Sequence, residues 1–177
     1  MGWIDTPLTD EGKQNARSSA VKLRGEQIDQ IVSSDLGRAF TSAYIIAREL
    51  GYSQEIETSK GLREMSYGDL ANQPYDSIPQ LAPEIFVNYI PPNGESLSQM
   101  QARVLDCIDK LAQKYEGKTV LLVAHDGVIN AVRAKYAQHD MAHEDETHNP
   151  HDFVAKFEWD NGQIRSFEEV TSNNKRP

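Results

Sequence analysis

The chain has 177 residues, 38% of them apolar and 25% charged, with a formal net charge of −9. These values fit one soluble α/β domain with a sizeable core. The acidic balance excludes a nucleic-acid binder, which needs a basic face, and requires an anionic ligand to be drawn by a local pocket. No apolar run reaches membrane length and no basic-then-apolar leader opens the sequence, so a cytosolic protein with no membrane partner is expected.

The opening GWIDTPLTDEG reads as a loop, with Thr9 capping a helix whose first turn carries Asp10 and Glu11, as the helix dipole favours. Ala16, Ala20 and Leu23 mark the inner face of that helix to about Gly25. Ile28, Ile31 and Val32 predict a short strand running into Ser33-Ser34-Asp35-Leu36-Gly37-Arg38. A second helix follows, with Ala39, Ala43, Ala47 and Leu50 on one stripe and Gly51 as its stop. Ile56 and Thr58 predict another strand. Residues 70–97 hold Pro74, Pro79, Pro83, Pro91 and Pro92 interleaved with Tyr75, Phe86 and Tyr89. So long a stretch between core elements reads as a lid or specificity segment.

From Ser98 a third helix presents Met100, Val104, Ile108 and Leu111. Ser96 and Ser98, each with Gln three residues on, are two overlapping capping-box candidates. Cys107 is the single cysteine, expected as a core thiol without a disulfide partner. The stretch KTVLLVAHDGVINAV then predicts a strand over Val120–Ala124, buried on both faces, in a parallel sheet. His125 closes it and a helix follows. Ligand crevices lie beyond such strand ends, where the next helix offers free N–H groups. Phe153, Ala155, Phe157 and Trp159 alternate as a strand, and Asp160-Asn161-Gly162 reads as a hairpin turn into Ile164–Val170. The domain is therefore read as residues 1–170, with 171–177 a frayed tail.

Behind GWIDTPLTDEG, the motifs SSDLGRAFTSA, LREMSYGD, NGES and VAHDGV in that order resemble the histidine phosphatase superfamily, on its bacterial phosphatase branch. The resemblance implies a three-layer α/β/α phosphoglycerate mutase-like fold with a mostly parallel sheet. It implies phosphoryl transfer through a phosphohistidine on a small phosphorylated metabolite, with no cofactor. Arg38 matches the pocket arginine that binds phosphate, where a guanidinium fork suits the oxygens. Glu64 matches the proton-donating carboxylate, and His125 the second histidine, which braces the phosphoryl oxygens. Glu95 matches a recurrent structural acid outside the reaction.

The family opens with a strand ending in Arg-His-Gly, usually central in the sheet, which carries the attacking histidine. That strand and its loop, ~15–20 residues at ordinary lengths, are expected to be missing before Gly2. All five histidines (125, 139, 143, 148 and 151) fall after position 124. The expectation is a phosphomonoester hydrolase by kinship that is silent as written. The alternatives are a mutase-type phosphotransferase and a non-catalytic, phosphate-binding pseudophosphatase.

Asp126 stands where the family usually has glycine, and reads either as a helix cap or as a repulsive carboxylate beside the anion. Leu70-Ala71-Asn72 replaces the usual Trp-Glu-Gly, altering the pocket wall. No Lys or Arg lies between Glu64 and Gly94, which favours a monoesterase over a bisphosphate mutase. His139 and His143 share a helical spacing that suits a metal, but the segment reads better as a solvated polar loop, and no metal is expected. The residues leave the oligomeric state open.

Overall fold

A computed structural model of the chain describes residues 2–74, 79, 81–138 and 150–170. At its centre runs β1 (Gln30–Ser34), whose β-branched Ile31 and Val32 suit a pleated strand packed on both faces. Parallel neighbours flank it, β2 (Glu57–Ser59) on one side and β3 (Val120–Val123) on the other. Because successive side chains point to opposite faces, Ile31 meets Ala43 and Ala47 of α2 (Gly37–Leu50), and Val32 joins the core on the other face. α1 (Asp10–Lys22) packs beside α2 on the first face. A short α3 (Pro83–Phe86), then α4 (Leu97–Lys114) and α5 (Asp126–Ala137), complete the α-helices among the described residues, with α4 and α5 on the second face. The result is a three-layer α/β/α arrangement.

The helix ends follow their local chemistry. Thr9 Oγ accepts from the Gly12 amide at 3.0 Å, and Gly51 ends α2 in the left-handed region with φ 70°. Of the two capping candidates before α4, Ser96 is the cap and Gln99 closes the box. The Ser98 hydroxyl instead donates to Asn88 at 2.9 Å. Cys107 is buried and free, as expected, with its sulfur 3.2 Å from the Ser59 hydroxyl.

β4 (Ala155–Asp160) and β5 (Gln163–Glu169) form a separate antiparallel hairpin. Asn161 and Gly162 at its turn both have positive φ, as a two-residue hairpin turn requires. Its inward residues Phe157, Trp159, Ile164 and Phe167 pack on the core of α4 and α5. Phe167 also stacks on Tyr136 with ring centroids 5.7 Å apart.

One expectation is corrected here. Val120–Ala124 is half-buried throughout, not buried on both faces. Among the described residues β3 has a strand partner on one side only, β1, so it is an edge with fewer neighbours to cover it. The apolar side chains still divide between layers: Leu121 and Val123 face α1 and α2, while Val120 and Leu122 face α4 and α5.

Candidate functional site

β1 and β3 are parallel, so their carboxyl ends lie together, and α2 and α5 both begin there. Ser33 is in register with Val123, which sets Ser34 and His125 at the same level of the sheet. The His125 Nε2 and Ser34 Oγ atoms are hydrogen-bonded at 2.9 Å. Ser34 is fully buried and His125 is 8% exposed. Burial, with the nearby Arg38 and Arg103 charges, pushes the His125 imidazole down to about 3, against a weaker pull from Asp35. His125 is therefore neutral across the physiological range.

Glu64 comes to the start of α5, beside His125 in the chain, from the loop after β2. Its Oε2 accepts from the Gly127 amide at 3.2 Å and its Oε1 from the Met65 amide at 2.8 Å. His125 makes no side-chain cap to α5, so Glu64 satisfies a free N–H of that helix's first turn. A side chain at Gly127 would overlap the Glu64 carboxylate, which is why the motif needs glycine there. Burial pushes the Glu64 carboxyl up; the Met65 and Gly127 amides and Arg38 oppose this, and Asp126 adds to it.

Arg38, in the first turn of α2, donates through Nη1 to the Ile4 carbonyl and through Nη2 to the Gly2 carbonyl, each at 2.8 Å. Burial draws its guanidinium down from the ordinary value, opposed by Glu64 and Asp5. The Asp5 carboxylate accepts from the Gly37 amide at 2.8 Å. The structure thus brings together all three residues singled out in the sequence: Arg38, Glu64 and His125. They form a cradle at the ends of two strands, with one cationic fork, one neutral imidazole and one carboxyl raised by burial. Such a set suits an oxyanion whose leaving group needs a proton.

Sequence reasoning missed several supports. Ser34 is half of a Ser-Ser pair at a strand end, where a buried hydroxyl needs a partner. Arg63 grips Asp35 through two bonds of 2.7 and 2.6 Å and lies 4.8 Å from the Trp3 ring. Trp3, 42% exposed, donates its indole N–H to the Glu64 carbonyl at 2.6 Å. Arg103 sits on the buried flank of α4 between Met100 and Cys107, and a charge in that register is a signal in itself. Glu95 accepts from Arg103 and from the Ser66 amide, as a framework acid does.

The N-cap of α5 is His125, so Asp126 is not the cap. His139, His143 and His148 lie outside the described residues, while His151 is exposed in the turn before β4. Among the described residues no group of three or more His, Cys, Asp or Glu is placed to hold a metal ion, and no helix is long and apolar enough to cross a membrane. A hollow of about 390 Å³, lined by Arg24, Glu26, Glu49, Gly51 and Tyr52 among others, opens at the opposite end of β1 and contains none of the cradle residues.

The sequence profile of the histidine phosphatase superfamily (branch 1) matches residues 1–171. The chain belongs to the histidine phosphatase superfamily. Among curated proteins it resembles phosphoglycerate mutase-like protein 4 of Arabidopsis thaliana, 34% identical over 141 residues, which are 75% of this chain and 61% of that protein. The chain thus spans about 61% of the length of that relative. Among solved structures it resembles Bacillus stearothermophilus YhfR, with a TM-score of 0.80 and 29% identity over 93% of this chain and 85% of the other. It also resembles a mycobacterial glucosyl-3-phosphoglycerate phosphatase in complex with inorganic phosphate, with a TM-score of 0.75 and 25% identity over 97% and 89%. The three-layer architecture of this superfamily member is therefore the phosphoglycerate mutase-like fold.

Proposed function

We propose that the cradle is a phosphomonoester site in which Arg38 and His125 receive the phosphoryl oxygens and Glu64 serves the leaving-group oxygen. The observation that carries this reading is the Glu64 carboxylate on the Gly127 amide, two residues on from His125 at the start of α5, with the Arg38 charge acting on both the carboxyl and the imidazole. A neutral imidazole donates one hydrogen bond to a phosphoryl oxygen, and the arginine fork supplies charge and a planar match. Burial favours the protonated Glu64 carboxyl, the form that can give a proton to a departing alkoxide. Inorganic phosphate in the mycobacterial relative supports a phosphate-type ligand. The stretch from Glu64 to Gly94 carries no Lys or Arg, which favours one phosphate group over two and hence a small monoester.

The covalent route of the family needs an attacking imidazole opposite His125. Every histidine stands at position 125 or later, and of the two described, His125 is hydrogen-bonded to Ser34 and His151 is exposed. The proposal is accordingly that the 177-residue chain binds phosphate and turns it over slowly or not at all. Titration calorimetry with inorganic phosphate, alongside an aryl phosphate assay, tests both halves. Binding is expected, weakened at least about tenfold by Arg38→Met, the value of one charge-assisted hydrogen bond. Absence of heat with the native chain would overturn the cradle. Rapid turnover abolished by His125→Ala would instead make His125 the nucleophile and overturn the silent reading.

A further inference from the structure

Arg103 rises from the middle of α4 and meets Glu95 through two bonds, Nη2 to Oε1 at 2.6 Å and Nε to Oε2 at 3.1 Å. Among the described residues its other hydrogen bonds all go to main-chain oxygens of the segment that carries Glu64, while its charge also acts on His125. Nη1 donates to the carbonyls of Gly61 and Arg63, each at 3.0 Å, and at 3.4 Å to that of Lys60. Nη2 also reaches the Glu64 carbonyl at 3.3 Å. Glu95 continues the strap: Oε1 accepts from the Ser66 amide at 2.9 Å, and the Glu95 amide donates to the Ser66 carbonyl at 3.0 Å. One guanidinium and its counter-ion therefore hold the backbone on both sides of Glu64 against α4. The planar fork of arginine spans acceptors in several directions at once, which the single nitrogen of lysine does not.

Nothing in this strap touches the Glu64 carboxylate itself. The groups that face the carboxylate are Arg38 of α2, Asp126 and the Gly127 amide of α5, and the Met65 amide. Arg103 acts on where the side chain starts, and only through that on where it ends. We propose that Arg103, with Glu95 as its counter-ion, is a positioning residue that sets the Glu64 main chain so that the carboxyl meets the Gly127 amide beside His125. What Glu64 is positioned for rests on the phosphomonoester reading; the positioning is observable without any ligand.

The test is an NMR titration of the full chain labelled with ¹⁵N-glycine and ¹³Cδ-glutamate, with thermal unfolding followed in parallel. In the native chain the Gly127 amide shift is expected to follow the ionisation of Glu64, with a midpoint above the ordinary carboxylate range. In Arg103→Met the Gly127 amide loses that pH-dependent displacement and the Glu64 midpoint falls toward the ordinary range, because the carboxyl swings into water. Arg103→Lys keeps the charge without the fork and is expected to lose the same signature. Should Arg103→Met fail to fold, Arg103→Lys and Glu95→Gln carry the comparison. An unchanged Gly127–Glu64 signature in the folded variants, with only a lower melting temperature, would reduce Arg103 to a structural brace and overturn the proposal. A titration with inorganic phosphate separates the two readings: no anion binding, with the Arg103 effect intact, sinks the phosphate site and leaves the positioning role standing.

Discussion

Ser34 Oγ and His125 Nε2 lie 2.9 Å apart and join the carboxyl ends of two neighbouring parallel strands through side chains alone. The pair is buried, and Ser34 Oγ also accepts from the Leu36 amide at 3.3 Å, so removing the hydroxyl strips a partner from both the imidazole and that amide. Removing one partner of a buried hydrogen bond leaves the other desolvated and unpaired, a cost of about 1–3 kcal/mol. Ser34→Ala is expected to destabilise the fold by that amount in urea denaturation. The effect should shrink in Ser34→Ala combined with His125→Leu, where neither polar group remains. If Ser34→Ala costs as much in the His125→Leu background as in the native chain, the two losses simply add and the contact contributes nothing of its own.

The depressed imidazole ties stability to pH. The unfolded His125 takes up a proton near its ordinary value of 6.5, while the folded one holds off until about 3. Between those values the unfolded chain binds more protons, so stability is complete above about 6.5 and is lost as the pH falls toward 3. The slope approaches ~1.4 kcal/mol per pH unit. Glu64, whose carboxyl is raised by burial, works in the opposite sense: its contribution is present below the unfolded carboxyl value and fades as the pH climbs through the folded one. The net slope of the native chain mixes the two, and His125→Gln isolates the first. Between pH 6.5 and pH 4 the native chain is expected to lose roughly 2–3 kcal/mol more than His125→Gln, measured by denaturant midpoints at each pH.

Gly127 supplies the sharpest separation of fold from chemistry. Alanine is a better helix former than glycine, yet a methyl group here collides with the Glu64 carboxylate. The end of a flexible side chain can swing aside, so Gly127→Ala is expected to melt within a few degrees of the native chain. It is also expected to lose the elevated Glu64 titration, read by ¹³C NMR. A variant that melts normally and keeps that titration would show that the carboxyl tolerates the methyl group in place.

Much of this site was legible because its residues fall at places where the backbone dictates the next element. A strand, then His125, then a glycine and a helix placed the imidazole at a crevice without coordinates, and the motifs around Arg38 and Glu64 supplied its partners. The supports were not legible, because they join residues far apart in the chain. Ser34 and Ser33 look alike in sequence, yet Ser34 meets His125 while the Ser33 hydroxyl turns to the Ser34 carbonyl. Ser96 and Ser98 were equal as caps until Asn88 engaged one of them. The half-exposure of Val120–Val123 was hidden for another reason. An apolar run records what a strand prefers to touch, whereas how many neighbours it has is a property of the assembled sheet.

The seat of Arg38 consists of the carbonyl oxygens of Gly2 and Ile4. Anchorage of this kind is blind to spelling: a different residue at position 4 presents the same oxygen. It is intolerant of length, since one residue inserted or removed between positions 2 and 4 carries an oxygen away from the guanidinium. The hold on Arg38 thus constrains the count of the opening loop, while the letters at Gly2, Trp3 and Asp5 are constrained separately, by a positive φ at the first and side-chain bonds at the other two.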